Sequence, residues 1–145
     1  MFANILCPID FSKDSERALA AALALARATS GHVTLVTVVD PLLNAGAEAA
    51  GAGAAVAEQT QRELLSLLER SAPGMPEASM PAVAVRVGEP AREILAQATE
   101  CNADIIVMGM RGIGGAVKLL LGSTSTNVLA RATVPVLVVP PTSRR

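Results

Sequence analysis

Hydrophobic and polar positions along the chain follow two patterns in alternation. Short apolar runs, such as "IIVMGM" and "VPVLVVP", are separated by longer stretches in which apolar residues recur at helical spacing. Runs rich in Val and Ile are typical of strands buried on both faces of a sheet, and the helical spacing is typical of amphipathic helices. The alternation predicts an α/β fold, a single domain over residues 1–145 with a doubly wound, five-stranded parallel sheet and helices on both faces. The predicted strands cover residues 2–9, 32–40, 82–87, 104–110 and 134–140.

Local signals mark where the helices begin. Ser12 is a good N-cap residue, because its hydroxyl accepts a hydrogen bond from the first helical turn. Asp14 and Glu16 follow in that turn, where the helix dipole favours negative charge. Residues 41–57 are mostly alanine and glycine, and ordering them gains little against backbone entropy, so we predict a mobile loop there. Further helices are predicted over about 55–70, 88–103 and 123–132.

Composition and charge exclude several classes of protein. Of the 145 residues, 51% are hydrophobic and 1% aromatic, and the formal net charge is −1. A nucleic-acid-binding surface combines a basic stripe with stacking aromatic residues, so we predict no nucleic-acid partner. No apolar stretch is long enough to span a bilayer and no basic leader opens the chain, so we predict no membrane partner and a cytoplasmic location. With two cysteines and one histidine, we predict neither a metal centre nor a disulfide.

The stretch "GMRGIGGAVKLLLGST", which begins at Gly109, holds five glycines and ends in small hydroxyl residues. Glycine is used where the backbone turns sharply or approaches another group closely. Gly109 and Gly112 would let backbone N–H groups approach an anion, and the helix that begins after Gly122 favours phosphate at its N-terminus. Ser123 and Ser125 would add hydroxyl donors. The alternative is a glycine-rich turn that only links a strand to a helix.

Two better-known phosphate motifs do not fit this stretch. A Walker A loop requires lysine followed by serine or threonine, but Lys118 is followed by Leu119. A dinucleotide fingerprint beginning at Gly112 has Val117 at its third glycine position. Lys118 and Arg111 remain open, either as phosphate contacts or as solvated loop charges.

The spacing Gly109-x2-Gly112-x9-Gly122-Ser123 resembles the ATP-binding signature of the universal stress protein family. "ILCPIDFS" is similar to that family's opening strand, and "VPVLVVP" to its closing strand, so the resemblance covers nearly the whole chain. It implies a five-stranded parallel sheet in the order 3-2-1-4-5. That order brings Asp10, at the end of the first strand, next to Gly109, at the end of the fourth, and ligands of such sheets bind at this switch point.

The resemblance also implies a nucleotide site and the roles of its residues. Asp10 would lie near the base and ribose, with a Mg²⁺ or Mn²⁺ ion if one is bound, and Val38 would contact adenine through its backbone. Met108 and Gly109 would border the ribose. The residues that would hold the phosphates are Gly112, Gly122, Ser123, Thr124 and Ser125. The residues implied to bind ATP are Pro8, Ile9, Asp10, Val38, Met108, Gly109, Gly112, Gly122, Ser123, Thr124 and Ser125.

The implied function is that of a small ATP-binding protein, a nucleotide-dependent switch or chaperone-like factor in the stress response, and not an enzyme. Two alternatives stay open: a slow ATPase, and an interaction module of the same fold that binds no nucleotide. Backbone N–H groups bind ground state and transition state about equally, so turnover is expected to be very slow. Residues 134–140 form an apolar edge strand, which the family commonly pairs across a two-fold axis, so we predict a homodimer through them.

Overall fold

Five parallel strands form one sheet in the computed structural model, which describes residues 1–111 and 121–141. The strands are β1 (Asn4–Pro8), β2 (His32–Val39), β3 (Ala82–Val87), β4 (Ile105–Gly109) and β5 (Val136–Val139). Their order is β3-β2-β1-β4-β5 and every pairing is parallel, so the predicted fold and topology are confirmed. The bounds differ most in β1, which begins at Asn4, and in β5, which begins after Pro135, a residue that cannot donate to a sheet ladder.

Helices connect the strands and cover both faces of the sheet. They are α1 (Lys13–Thr29), α2 (Pro41–Ala49), α3 (Gly53–Ser71), α4 (Pro90–Glu100) and α5 (Ser123–Arg131), with one 3₁₀ turn at Glu77–Ser79. The predicted start of α1 is confirmed, because Ser12 Oγ accepts a hydrogen bond of 3.1 Å from the N–H of Ser15. No helix in the two described ranges is long and apolar enough to cross a membrane.

Residues 41–57 do not form the predicted loop. Most of them belong to α2 and the start of α3, and the chain turns between these helices at Gly51, where φ is +78°. Asp40 caps α2, its Oδ1 accepting a hydrogen bond of 2.7 Å from the N–H of Leu42, and Pro41 occupies the first turn. Although α2 buries none of its residues, alanine has the highest helix propensity, and local preference outweighs the small burial.

The core consists of two apolar layers, one on each side of the sheet. Ile5 and Cys7 of β1 face α1 and α3, whereas Leu6 between them faces α4 and α5. Each buried leucine or isoleucine contributes roughly 1.5–3 kcal/mol relative to exposure. Burial raises the pKa of the Cys7 thiol far above its usual range, so Cys7 behaves as an apolar residue, and Cys7 and Cys101 are both free.

The connections leave the centre of the sheet in opposite directions. After β1 the chain enters α1 on one face, and after β4 it reaches α5 on the other face. Because β1 and β4 are neighbours, a crevice opens beyond their carboxyl ends. The topology therefore places the switch point where the sequence analysis expected a ligand.

Candidate functional site

A cavity of about 680 Å³ opens at the switch point, a volume within the usual range for small-molecule sites. The carboxyl ends of β1, β2 and β4 and the first turns of α4 and α5 form its walls. Every predicted site residue within the described ranges lines this cavity, whereas Gly112 lies outside those ranges. Arg111, which the sequence analysis left open as a phosphate contact, lines the cavity too. The lining residues that the sequence analysis missed are Ser15, Val36, Asp40, Pro90 and Ile94.

The first turn of α5 presents backbone N–H groups that have no partner within the helix. Thr126 is the first residue whose N–H bonds within the helix, at 3.0 Å to the carbonyl of Gly122. The N–H groups of Ser123, Thr124 and Ser125 precede it, and all three residues line the cavity. Among the described residues no side chain caps this end, whereas Ser12, Asp40 and Glu89 cap other helices. This wall therefore favours an anion through donors and dipole together.

Ser125 has a structural role that the sequence analysis did not foresee. Its Oγ is buried and donates a hydrogen bond of 2.8 Å to the carbonyl of Gly109 at the end of β4. A hydroxyl has only one proton to donate, so the prediction of Ser125 as a hydroxyl donor to phosphate is wrong in this arrangement. Its backbone N–H remains on the cavity wall.

Gly109 is required for a different close approach from the predicted one. A Cβ at this position would lie 2.7 Å from the carbonyl carbon of Asp14 and 2.8 Å from its oxygen. The strand end and the first turn of α1 therefore meet backbone to backbone. Glycine here accommodates a helix of the same chain, and the approach of an anion to its backbone stays a prediction.

A buried carboxylate lies behind the cavity wall. Asp14, predicted only as a charge in the first turn of α1, has a side chain that is 7% exposed. It accepts hydrogen bonds from the backbone N–H of Arg111, at 3.1 Å, and from Nε and Nη2 of its guanidinium, at 3.2 and 3.4 Å. Arg17 also pairs with this carboxylate. Arg111 is therefore not a solvated loop charge, and its contact with a phosphate stays a prediction.

Two further carboxylates lie on the wall formed by β1 and β2. Asp10 Oδ1 accepts a hydrogen bond of 3.0 Å from the N–H of Ser12, and Asp40 caps α2. Each follows the end of a strand, a signal that the sequence analysis used for Asp10 and overlooked for Asp40. Apolar side chains fill the space between, and no group of three His, Cys, Asp or Glu residues in the described part of the chain is arranged to hold a metal. Because β2, β1 and β4 are neighbours in that order, the two carboxylates lie on the β1–β2 side of the cavity, and the Arg111 side chain and the N–H donors of α5 lie on the β4 side.

Comparison with known proteins identifies the family. The model of the universal stress protein family matches residues 1–140. The chain belongs to the universal stress protein family. It is 32% identical to the universal stress protein YxiE of Bacillus subtilis, over 96% of this chain and 99% of that protein.

Solved structures of other proteins share the fold of this universal stress protein. The structure of MJ0577 from Methanocaldococcus jannaschii superposes with a TM-score of 0.81 at 28% identity, over 99% of each chain. A universal stress protein in complex with cAMP has a TM-score of 0.63 at 24% identity, over 96% of this chain and 97% of that one. The latter likeness extends to the fold alone.

Proposed function

We propose that this universal stress protein binds an adenine nucleotide, with ATP as the first candidate, in the switch-point cavity. The nucleotide acts as the input of a switch or chaperone-like activity in the cytoplasmic stress response. The observation that carries the proposal is the polarity of the cavity, which runs from two carboxylates to the first turn of α5, where no side chain of the described residues caps the helix. A nucleoside phosphate has the complementary polarity, with hydrogen-bond donors at one end and anionic oxygens at the other.

The phosphate end of the proposed ligand lies against α5. Here Ser123, Thr124 and Ser125 offer N–H groups at the positive end of the helix dipole, an arrangement that favours anions. Gly122 sits at the N-cap in extended backbone and brings no side chain to this point. Gly112, as in the family signature, belongs to the proposal on the resemblance alone.

The base end lies against β2, where backbone groups remain after β1 has ended. On the β1 side of β2, the N–H of Ile9 donates to the carbonyl of Val36 at 2.8 Å. On the β3 side, the N–H of Gly88 donates to the carbonyl of Val39 at 3.3 Å. Because alternate residues of a strand point their polar groups the same way, the N–H and carbonyl of Val38 point as those of Val36 do, into the cavity. An adenine edge offers a matching donor and acceptor. A universal stress protein of the same fold has been solved in complex with cAMP, an adenine nucleotide, and this supports the proposal.

The ribose and the apolar walls complete the proposed site. Met108 and Ile9 form apolar surface beside the strand ends, and Pro8 precedes Asp10 on the same wall. The Asp10 carboxylate suits a ribose hydroxyl. A Mg²⁺ or Mn²⁺ ion, if bound with ATP, would take its oxygen ligands chiefly from the phosphates and would neutralise part of their charge.

The proposed assembly is a homodimer through residues 134–140. Within residues 1–111 and 121–141, β5 is an edge strand that pairs only with β4, and its Leu137 is 43% exposed. An unpaired apolar edge is stabilised by pairing with a second copy about a two-fold axis.

Mass spectrometry of the protein purified without added nucleotide, followed by calorimetric titration, tests the proposal. We expect either co-purified adenine nucleotide or binding of ATP that is stronger than binding of adenosine or GTP. Adenosine removes the phosphates and GTP changes the base, so the two controls report on the two ends of the cavity separately. A protein that is clean and binds none of the three contradicts nucleotide binding and supports the interaction module.

A further inference from the structure

Besides its pairing with β5, the end of β4 is held by three hydrogen bonds from other described elements, which we call anchors. Ser125 Oγ donates to the carbonyl of Gly109, the N–H of Gly122 donates to the carbonyl of Met110 at 2.8 Å, and the N–H of Arg111 donates to Asp14 at 3.1 Å. Two anchors come from the α5 side and the third comes from α1. The third is the one that involves a charged group on the cavity wall, because the Arg111 side chain lines the cavity.

Asp14 binds Arg111 along one edge of its guanidinium. The Nε and Nη2 atoms face the carboxylate, at 3.2 and 3.4 Å, and this edge contact fixes the plane of the group. The Arg111 side chain is 19% exposed, and it keeps the full charge of an arginine at the cavity. The absence of a side chain at Gly109 is what allows α1 to come close enough for the contact.

A second arginine compensates the same carboxylate. Arg17 pairs with Asp14 from within α1 and does not line the cavity. Asp14 therefore has a counter-charge that is independent of Arg111. When a phosphate pairs with the Arg111 guanidinium, Arg17 still compensates the Asp14 carboxylate. An uncompensated buried anion would be strongly destabilising.

We infer that Asp14 is a positioning residue, which holds the Arg111 guanidinium at the cavity so that binding strength depends on the number of phosphates of the ligand. The inference rests on the proposed function and adds to it the residue pair that sets phosphate selectivity. Asp14 is covered by Arg111 and Arg17 and acts through Arg111. Arg111 supplies a fixed cation, whereas the first turn of α5 supplies only neutral donors.

Calorimetric titration with adenosine, AMP, ADP and ATP tests the inference, with the ratio of the adenosine and ATP dissociation constants as the readout. We expect Arg111→Gln to reduce this ratio on the order of tenfold or more, the equivalent of one charge-assisted hydrogen bond. Arg111→Lys, which keeps the charge but loses the edge contact, should lose most of the same factor. Arg17→Gln, the matched control on the same carboxylate, should leave the ratio unchanged.

A double-mutant cycle separates positioning from a direct role. Asp14→Asn should lower the ratio in the wild-type background and have no further effect in the Arg111→Gln background. An equal effect in both backgrounds, or an unchanged ratio in Arg111→Lys, overturns the inference while leaving nucleotide binding intact. If Asp14→Asn does not fold, as checked by circular dichroism, the comparison of Arg111→Lys with Arg17→Gln decides the matter. If the wild-type protein binds no nucleotide, the proposed function fails together with the inference. This outcome differs from the ones above, in which the wild type still binds nucleotide.

Discussion

A Cβ on Gly109 would lie 2.7 Å from the carbonyl carbon of Asp14, so strand β4 and helix α1 meet backbone to backbone. The atoms in the way belong to the main chain of a helix, which cannot rotate aside as a flexible side chain does. The contact joins β4 to α1, and any side chain at position 109 pushes the two elements apart.

Gly109→Ala should therefore destabilise the protein by about 1–3 kcal/mol, the usual cost of overpacking. Gly46→Ala is the matched control, because Gly46 lies in α2 and a Cβ there would meet nothing within 4 Å. The control should stabilise the protein by about 0.5–1 kcal/mol, since alanine loses less backbone entropy than glycine in a helix. Urea unfolding of both variants measures the two changes, and equal midpoints would contradict the close-contact argument.

Gly122→Asp should abolish ATP binding and leave the fold intact. Gly122 is the N-cap of α5 in extended backbone, with φ of −67° and ψ of 163°, which any residue adopts. An aspartate at this position accepts hydrogen bonds from the same N–H groups that the phosphate would use, and its charge repels the phosphate.

The control for this variant is Gly122→Ser, which caps the helix without a charge. We expect weakened but measurable ATP binding in the serine variant, and a melting temperature at or above the wild-type value in both. Near-normal affinity for ATP in Gly122→Asp, with a normal circular dichroism spectrum, would contradict the assignment of the phosphate site to α5.

Glu89 makes stability depend on pH below neutrality. Its carboxylate accepts hydrogen bonds from the N–H groups of Arg92, at 2.8 Å, and Ala91, at 3.2 Å, and pairs with Arg131. The N–H of Arg92 first, and Arg131 after it, hold the pKa of Glu89 below its ordinary value of 4.5. A lowered pKa in the folded state contributes stability above pH 4.5 that is lost as the pH falls through the folded-state value.

Glu89→Gln should thus be less stable than the wild type at neutral pH, and the difference should shrink as the pH falls below 4.5. Arg131→Met tests the order of the causes, because it removes the ion pair and leaves the N–H of Arg92 in place. It should abolish only part of the pH dependence. Thermal unfolding between about pH 3 and pH 7 measures both, and parallel profiles for wild type and Glu89→Gln would contradict the assignment.

Leu137→Lys should convert the proposed dimer into a monomer. Leu137 is 43% exposed on edge strand β5, and a lysine there places a charge at the strand pairing. Val87→Lys is a matched control, because Val87 is 42% exposed on the opposite edge strand, β3. Light scattering at micromolar concentration should give twice the monomer mass for the wild type and the control. A monomeric wild type would refute the dimer.

ATP should be a ligand far more than a substrate. The described cavity residues include no histidine, and their carboxylates, Asp10 and Asp40, lie on the β1–β2 wall away from α5. Steady-state phosphate release should therefore fall well below the roughly 1–10³ s⁻¹ of typical enzymes, on the order of one turnover per hour or slower. Phosphate release faster than about one per second that is lost in Ser123→Ala would show that the protein is an enzyme, an ATPase.

The sequence predicted the strands and the switch point well, because both depend on local pattern and on connection rules. It failed where partners are far apart along the chain. Asp14 and Arg111 are separated by 97 residues, and nothing near either residue signals the pair. Gly109 was recognised as a close-approach glycine, yet the approaching atoms belong to α1, which composition does not reveal. At α2 the sequence analysis predicted a loop because little surface would be buried, but the helix propensity of the segment outweighed the missing burial.

The central place of β1 has a consequence for synthesis on the ribosome. β1 pairs with β2 early, but its other edge waits for β4, and Asn4 bonds to Asp104 across 100 residues of chain. At about 5–20 residues per second, that apolar edge stays without its strand partner for roughly 5–20 s of translation. Parallel sheets are slow to close for this reason, and the nascent chain is most prone to aggregation during that interval. Synonymous codons that slow translation between β2 and β4 should lengthen it and lower the yield of folded protein.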